Sequence, residues 1–235
     1  LPEKLESPSR DHWFGTDELG RDIFSRVLDG ARISLRAAVI VIVIASGLGT
    51  TLGTIAGFFG GWADDIIMRI ADVFMAFPGL VLAMAVSAAA GASLEAAILA
   101  ASFVWWPIYT RLARAQVLAI REEVYVQAAR SIGASNGRIM RRHVLPGVFP
   151  VLLVRMTMDS GYAILFTVSL SFIGLGAQEP APEWGRMVAT GRAWIINYAY
   201  YPTFPGLAIF YTVLAFSLLG NGLRDWLDPR IRRSR

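Results

Sequence analysis

Long, continuously apolar runs separated by short polar stretches dominate the chain, and five of them are long enough to cross a bilayer as α-helices. They are predicted at about 34–59, 65–90, 94–119, 147–173 and 203–223. At ~1.5 Å per residue, each covers a hydrocarbon core ~30 Å thick. The runs do not alternate in polarity at every second residue, as the strands of a membrane barrel do, so helices are expected throughout. The expected fold is an all-α integral membrane protein.

Composition agrees with the pattern. Of 235 residues, 55% are hydrophobic and 17% charged, against about 25% charged in soluble domains, and the mean hydropathy is +0.50. The chain has no cysteine, which excludes disulfides and thiolate metal sites. The net charge of +4 rests almost wholly on arginine, Lys4 being the only lysine. Because the arginines gather at the ends of apolar runs, membrane topology accounts for them and nucleic acid does not.

Their placement also gives an orientation. The segment after the third span carries Arg121, Arg130, Arg138, Arg141 and Arg142, and the tail carries Arg224, Arg230, Arg232, Arg233 and Arg235. The loop between the fourth and fifth spans balances Arg186 and Arg192 against Glu179 and Glu183. The positive-inside rule puts the first two segments, and the C-terminus, in the cytoplasm and the third segment outside. Five spans then place residues 1–33 outside, without a cleavable signal, and a further membrane helix before Leu1 is expected in the full protein. The expected organisation is an extracytoplasmic segment 1–33, a membrane domain 34–230 with a cytoplasmic loop 120–146 and an outer loop 174–202, and a tail 231–235.

In the outer segment, Phe14–Asp22 reads as a glycine-punctuated turn. Asp22 is placed to cap a short helix to about Asp29, with Ile23, Val27, Leu28 and Ala31 on a face laid along the membrane surface. Asp17, Glu18 and Asp22 do not have EF-hand spacing, and a structural turn is expected there rather than a calcium site.

Within the spans, Ala45, Gly49, Gly53, Gly57 and Gly61 recur every four residues. Such a stripe lets a neighbouring helix approach closely, as fixed packing or as a sliding face. Pro78 is expected to kink the second span, as a fixed bend or a gate. Asp72, with Arg69 one turn away, and Asp159, four residues beyond Arg155, are the intramembrane acids. Pro78 and Asp159 are the candidates for a translocation pathway or its gating. Glu95 suits the N-terminus of the third span. Aromatics between Gly174 and Pro202 suit interfacial anchoring or an outer docking surface.

The most distinctive segment lies between Tyr125 and Pro146. It reads as helix, glycine break and helix, rich in arginine, with nothing catalytic in it. His12 and His143 are the only histidines and no His-Glu-x-x-His occurs, which argues against a metallo-enzyme. A P-loop needs a Gly-Lys pair, and Lys4 follows a glutamate, so ATP hydrolysis is excluded from this chain. A secondary transporter driven by an ion gradient through Asp72 and Asp159 is the alternative, but no inverted repeat is evident.

These residues resemble a known family. Gln127-Ala128-Ala129, three residues, Gly133, nine residues, His143, Val144 and Leu145-Pro146 match in spacing the EAA signature of binding-protein-dependent ABC importer permeases. Gln127 and His143 depart from the glutamate and isoleucine of that pattern, and Gln127 removes whatever salt bridge the glutamate makes. Phe14–Asp22, Gly30–Leu35, Ala76-Phe77-Pro78, Leu170–Gly176, Pro182–Gly185 and Asn221–Arg230 resemble the "C" permease subunit of dipeptide, oligopeptide and nickel importers.

The resemblance implies a type I ABC importer permease of a prokaryotic inner membrane, with six spans. Its implied partners are a homologous second permease, two cytoplasmic ATP-binding subunits that carry ATP and magnesium, an extracytoplasmic solute-binding protein, and membrane lipids. No cofactor is expected on this chain. The implied ATPase-coupling loop contains Gln127, Ala128, Ala129, Gly133, Ala134, Ser135, Leu145 and Pro146. Arg138, Arg141 and Arg142 then face acidic residues of an ATPase or anionic headgroups.

Overall fold

Asp22 accepts the backbone N–H of Ser25 at 2.7 Å and so caps a helix. That helix does not stop near Asp29. In the computed structural model, which describes residues 3–227, α1 runs unbroken over Ile23–Phe59. The separate surface helix expected from the sequence is therefore the first turns of α1. The reason is packing at Gly30, where an added Cβ would lie 2.1 Å from the carbonyl oxygen of Pro182. The indole N–H of Trp184 also donates to the Val27 carbonyl at 2.9 Å. The buried face is accordingly Ile23, Val27, Gly30 and Ser34, and Leu28 points outward.

The second apolar run forms two helices, α2 (Gly61–Met75) and α3 (Gly79–Ala89), which meet at 90°. The expected single kinked helix is thus a broken span. Pro78 has no N–H to continue α2, and it pushes Phe77 away from helical backbone. The helix α4 (Leu94–Ile120) starts where the Ser93 hydroxyl accepts the Ala96 N–H, with Glu95 in the first turn. Next come α5 (Val124–Ser131), α6 (Asn136–Ile139), a π-helical turn (Met140–Val144) and α7 (Leu145–Ile173). The chain continues through α8 (Trp184–Gly191), a 3₁₀ turn and α9 (Tyr200–Leu227). Among the described residues, four stretches are long and apolar enough to span a membrane: α1, α4, Asn136–Ile173 and α9; the broken pair makes a fifth. Arg230, Arg232, Arg233 and Arg235, and the segment 231–235, lie outside the described residues.

The described residues cluster into two compact units, and α1, α4, α7 and α9 each contribute to both. The first unit comprises 3–41, 80–101 and 159–218. Asp17 is fully buried there and accepts the N–H groups of Leu19 and Arg21 and the Arg21 guanidinium. That is the structural turn expected of Phe14–Asp22. Arg21, Arg26 and Arg186 also surround Glu179 at 3.4–3.8 Å, and Tyr201 donates to Glu18. Phe14 stacks on Phe204 with centroids 3.9 Å apart. These contacts pin the segment before α1 to the loop that follows α7 and to the first turns of α9.

Glu183 is buried at the N-terminus of α8, accepting from Ser34 at 3.3 Å and from the Arg186 N–H at 2.9 Å. Burial pushes its carboxyl above the ordinary carboxylate range, outweighing the opposing hydrogen bonds from Gly185, Arg186, Ser171 and Ser34. A folded pKa above the unfolded one means that the charged form opposes folding, and that this opposition fades as pH falls through the folded value. Thermal unfolding of the purified assembly at stepped pH is expected to show Glu183→Gln stabilised relative to the parent near neutral pH, with the gap closing on acidification. A constant gap would contradict this. Glu183→Ala, which strands buried donors, is expected to cost ~1–3 kcal/mol at low pH, where the parent carboxyl is neutral, and less near neutral pH.

The second unit comprises 42–79, 102–158 and 219–227. Here the small-residue stripe of α1 lies on α4. A Cβ added at Gly49, Gly53 or Gly57 would fall 2.5, 2.3 or 3.0 Å from the carbonyl oxygens of Trp106, Thr110 or Arg114. Gly61 is not part of the stripe. It begins α2 with φ +56 and has open space around it. Ion pairs tie α2 to α4: Arg114 holds Asp64 through two hydrogen bonds, and Arg111 takes Asp72. The partner of Asp72 is thus on another helix, not Arg69 one turn away.

Candidate functional site

The segment from Val124 to Pro146 owes its shape to one residue. Gly133 has φ +80, its N–H reaches the Arg130 carbonyl, and the Ala134 N–H reaches back to the Ala129 carbonyl. This pair of bonds around a left-handed glycine is the Schellman motif, which ends α5 and turns the chain away. Ala134 and Ser135 follow, and Ser135, in extended backbone, leads into α6. The helix, glycine break and helix read from the sequence are all present.

One side of this segment is anchored. Val126, Ala129, Ile139, Val144 and Val148 are buried, and the Tyr125 and His143 rings approach within 6.1 Å. The other side is open. Val124, Ala128 and Ile132 recur at four-residue spacing and are all exposed, Ile132 at 87%. Exposed apolar side chains in a row, beside a supported apolar row, make this face a candidate contact surface. Gln127 is exposed, and its side-chain amide donates to the Glu122 carbonyl at 3.0 Å. It therefore braces the start of α5 without needing the charge of a glutamate.

Beyond α6 the chain takes a π-helical turn at Met140–Val144 and then enters α7. Leu145 is half-buried and Pro146 exposed in the first turn of α7. Proline supplies no N–H there, and a widened turn immediately before it accommodates the gap. Arg138, Arg141 and Arg142 are exposed around an open hollow of about 570 Å³ that Ser135 and Gly137 also line. This side of the loop is basic, with no acidic side chain lining the hollow.

The other sequence candidates stand apart from this loop. Pro78 is exposed at the α2–α3 break, and Asp159 is buried in α7. Sequence reasoning missed Val124 and Ile132. Their spacing of four on either side of Ala128 was the available signal. Among the described residues, no group of three metal-ligating side chains forms.

Known proteins place this geometry in context. Residues 49–233 match the family described as binding-protein-dependent transport system inner membrane component. The chain is 50% identical to the probable D,D-dipeptide transport system permease protein DdpC of Escherichia coli K12, over 98% of this chain and 77% of that one. It is 45% identical to the dipeptide transport system permease protein DppC of Alkalihalophilus pseudofirmus OF4, over 97% and 75% respectively. It is 51% identical to the glutathione transport system permease protein GsiD of Escherichia coli O6:K15:H31, over 96% and 74%. In structure it superposes on a chain of the inward-facing methionine ABC transporter MetNI, with TM-score 0.70, 17% identity and coverage of 86% and 96%.

Proposed function

The chain belongs to the binding-protein-dependent transport system inner membrane components, and from that premise we propose how its loop and spans serve import. It has the type I permease fold and acts as a membrane-spanning permease subunit of an ABC importer. That membership sets aside the ion-gradient transporter as the alternative reading. The relatives named for D,D-dipeptides, dipeptides and glutathione support a short peptide, or a solute with peptide-like bonds, as the cargo.

ATP is hydrolysed by two cytoplasmic subunits, which carry the nucleotide and magnesium. This chain pairs with a homologous permease, and an extracytoplasmic binding protein delivers the solute. The arginine-rich loop and the C-terminus face the cytoplasm, where each ATPase grips one such loop. The observation that carries this reading is the exposed row Val124, Ala128 and Ile132 on a short helix ended by the Gly133 turn. Gln127, Ala128, Ala129, Gly133, Ala134, Ser135, Leu145 and Pro146 form the coupling segment. A row of apolar side chains enters a groove on the ATPase, and the arginine side meets acids at the rim. Pro78, at the break between α2 and α3, and Asp159, within α7, are proposed as pathway or gating positions.

Two experiments test this. Purification of the tagged full-length chain in mild detergent should recover a second permease and subunits with P-loop motifs, as read by mass spectrometry. Recovery of the chain alone would contradict it. Ile132→Asp should cut recovery of the ATPase by about tenfold or more, as loss of an interface anchor does, without lowering the amount of permease in the membrane. Unchanged recovery would remove Ile132 from the interface.

A further inference from the structure

Two ion pairs join α2 to α4 in the second unit, and they differ in exposure. Arg114 holds Asp64 with two hydrogen bonds, the side chains 34% and 15% exposed. Arg111 reaches Asp72 with one, and those side chains are 48% and 59% exposed. The first pair is a packed tie. The second is open on one side, where guanidinium donors and a carboxylate oxygen face outward for other partners.

The open pair lies within a span. Arg111 is nine residues before the end of α4 at Ile120, ~14 Å along the axis. The charged turn Arg121–Glu123 follows that end. With 27 residues, α4 is ~40 Å long against a core ~30 Å thick. Even with that whole excess of ~10 Å projecting on this side, Arg111 stands below the hydrocarbon boundary. A lone arginine can snorkel out, but aspartate is short, and the hydrogen bond holds both groups at one level. Charges at such depth face protein or water, not lipid. A dry seam with another subunit is disfavoured too, since it would strip water from both charges.

We propose that Arg111 and Asp72 line the water-filled solute route, and that a solute bearing an ammonium and a carboxylate passes by exchange with the pair, its carboxylate on Arg111 and its ammonium on Asp72. This rests on the permease reading above and extends it to named residues. The exchange keeps the same charge types together, and a solvated ion pair is only weakly held, so it opens readily. On the same face of α4, Ala115 and Ala119 are exposed. Both are small and leave room for a solute toward the end of the helix.

The chain has no cysteine, so a single introduced thiol reports on its own position. Ala115→Cys leaves both charges in place. In the purified whole assembly it should react with charged, membrane-impermeant methanethiosulfonate reagents, read as added mass on this chain. Ala113→Cys, at a buried position, should stay unmodified over the same time. With whichever of L-alanyl-L-alanine, D-alanyl-D-alanine and glutathione the assembly takes up, labelling of Ala115→Cys during turnover should slow severalfold.

Arg111→Gln with Asp72→Asn should cut uptake of that solute about tenfold, the factor lost with one hydrogen bond to a charged group. ATP hydrolysis should still be stimulated by loaded binding protein. The exchanged pair, Arg111→Asp with Asp72→Arg, should retain most of the uptake. An unreactive thiol at position 115, labelling that the solute does not slow, or full uptake by the neutral pair would overturn the proposal. Uptake of none of the three solutes would count against the cargo reading instead, and labelling without solute tests the wet route independently of it.

Discussion

Replacing Gly133 by valine is expected to leave the permease in the membrane at its normal level while cutting solute uptake by about tenfold, because ~1–2 kcal/mol of left-handed strain shifts the loop out of shape. The backbone there has φ +80, and no atom lies within 4 Å of an added Cβ. The effect would therefore come from backbone conformation and not from a clash. A β-branched residue avoids this region, so the two bonds of the turn, from Gly133 and Ala134 back into α5, would be lost. The Val124–Ala128–Ile132 row would then no longer be held at a fixed angle to α6. ATP hydrolysis by the assembly should continue but lose its stimulation by loaded binding protein.

Asparagine tolerates the left-handed region far better than valine does. Gly133→Asn is accordingly expected to keep most of the uptake, and Gly133→Ala to fall between the two. Normal uptake by the valine variant would mean that the turn does not couple the subunits. Equal losses for asparagine and valine would mean that side-chain bulk, and not conformation, is what matters.

A larger loss is expected at Gly53, and at an earlier stage. A Cβ there would sit 2.3 Å from the Thr110 carbonyl oxygen and 2.9 Å from the Ala113 Cβ. Both are backbone or near-backbone atoms of α4 and cannot rotate away. Gly53→Leu must separate α1 from α4, and the Gly49 and Gly57 contacts on the same stripe would loosen with it. Overpacking costs ~1–3 kcal/mol where a core can adjust, and more is expected against a rigid helix backbone. Folded protein in detergent, followed by gel filtration, should fall severalfold for Gly53→Leu and less for Gly53→Ala. Gly47, with nothing within 4 Å of an added Cβ, supplies the control, and Gly47→Leu should accumulate normally. A well-folded Gly53→Leu protein would show that the stripe is not a fixed seam.

Much of this was legible in the sequence, for identifiable reasons. The spans followed from uninterrupted apolar runs, since a run of that length has few other uses. The Gly133 break followed from a glycine between two short helical segments. The glycine stripe on α1 followed from a period of four, and only its end was misplaced, because Gly61 lies beyond the helix boundary at Phe59.

What escaped depended on distant contacts. Helix α1 continues through Gly30 because Pro182 and Trp184, some 150 residues later, pack against it. Nothing local in Asp22–Ser34 encodes that. Pro78 announced a bend, but a proline alone does not say whether one helix kinks or ends there. Asp72 likewise pairs with Arg111 on α4 and not with the local Arg69. In the loop, the signature drew attention to small residues and left Val124 and Ile132 unnoticed. Only exposure distinguishes those two from the equally apolar, buried Val126.

The decisive measurement is solute uptake by the whole assembly reconstituted in vesicles, with its binding protein outside and either ATP inside or a proton gradient as the energy source. Uptake that requires ATP, persists without a gradient and is lost with Gly133→Val is the expected result. Uptake that runs on the gradient alone, and stops when the gradient is removed whether or not ATP is present, would contradict an ATP-driven permease.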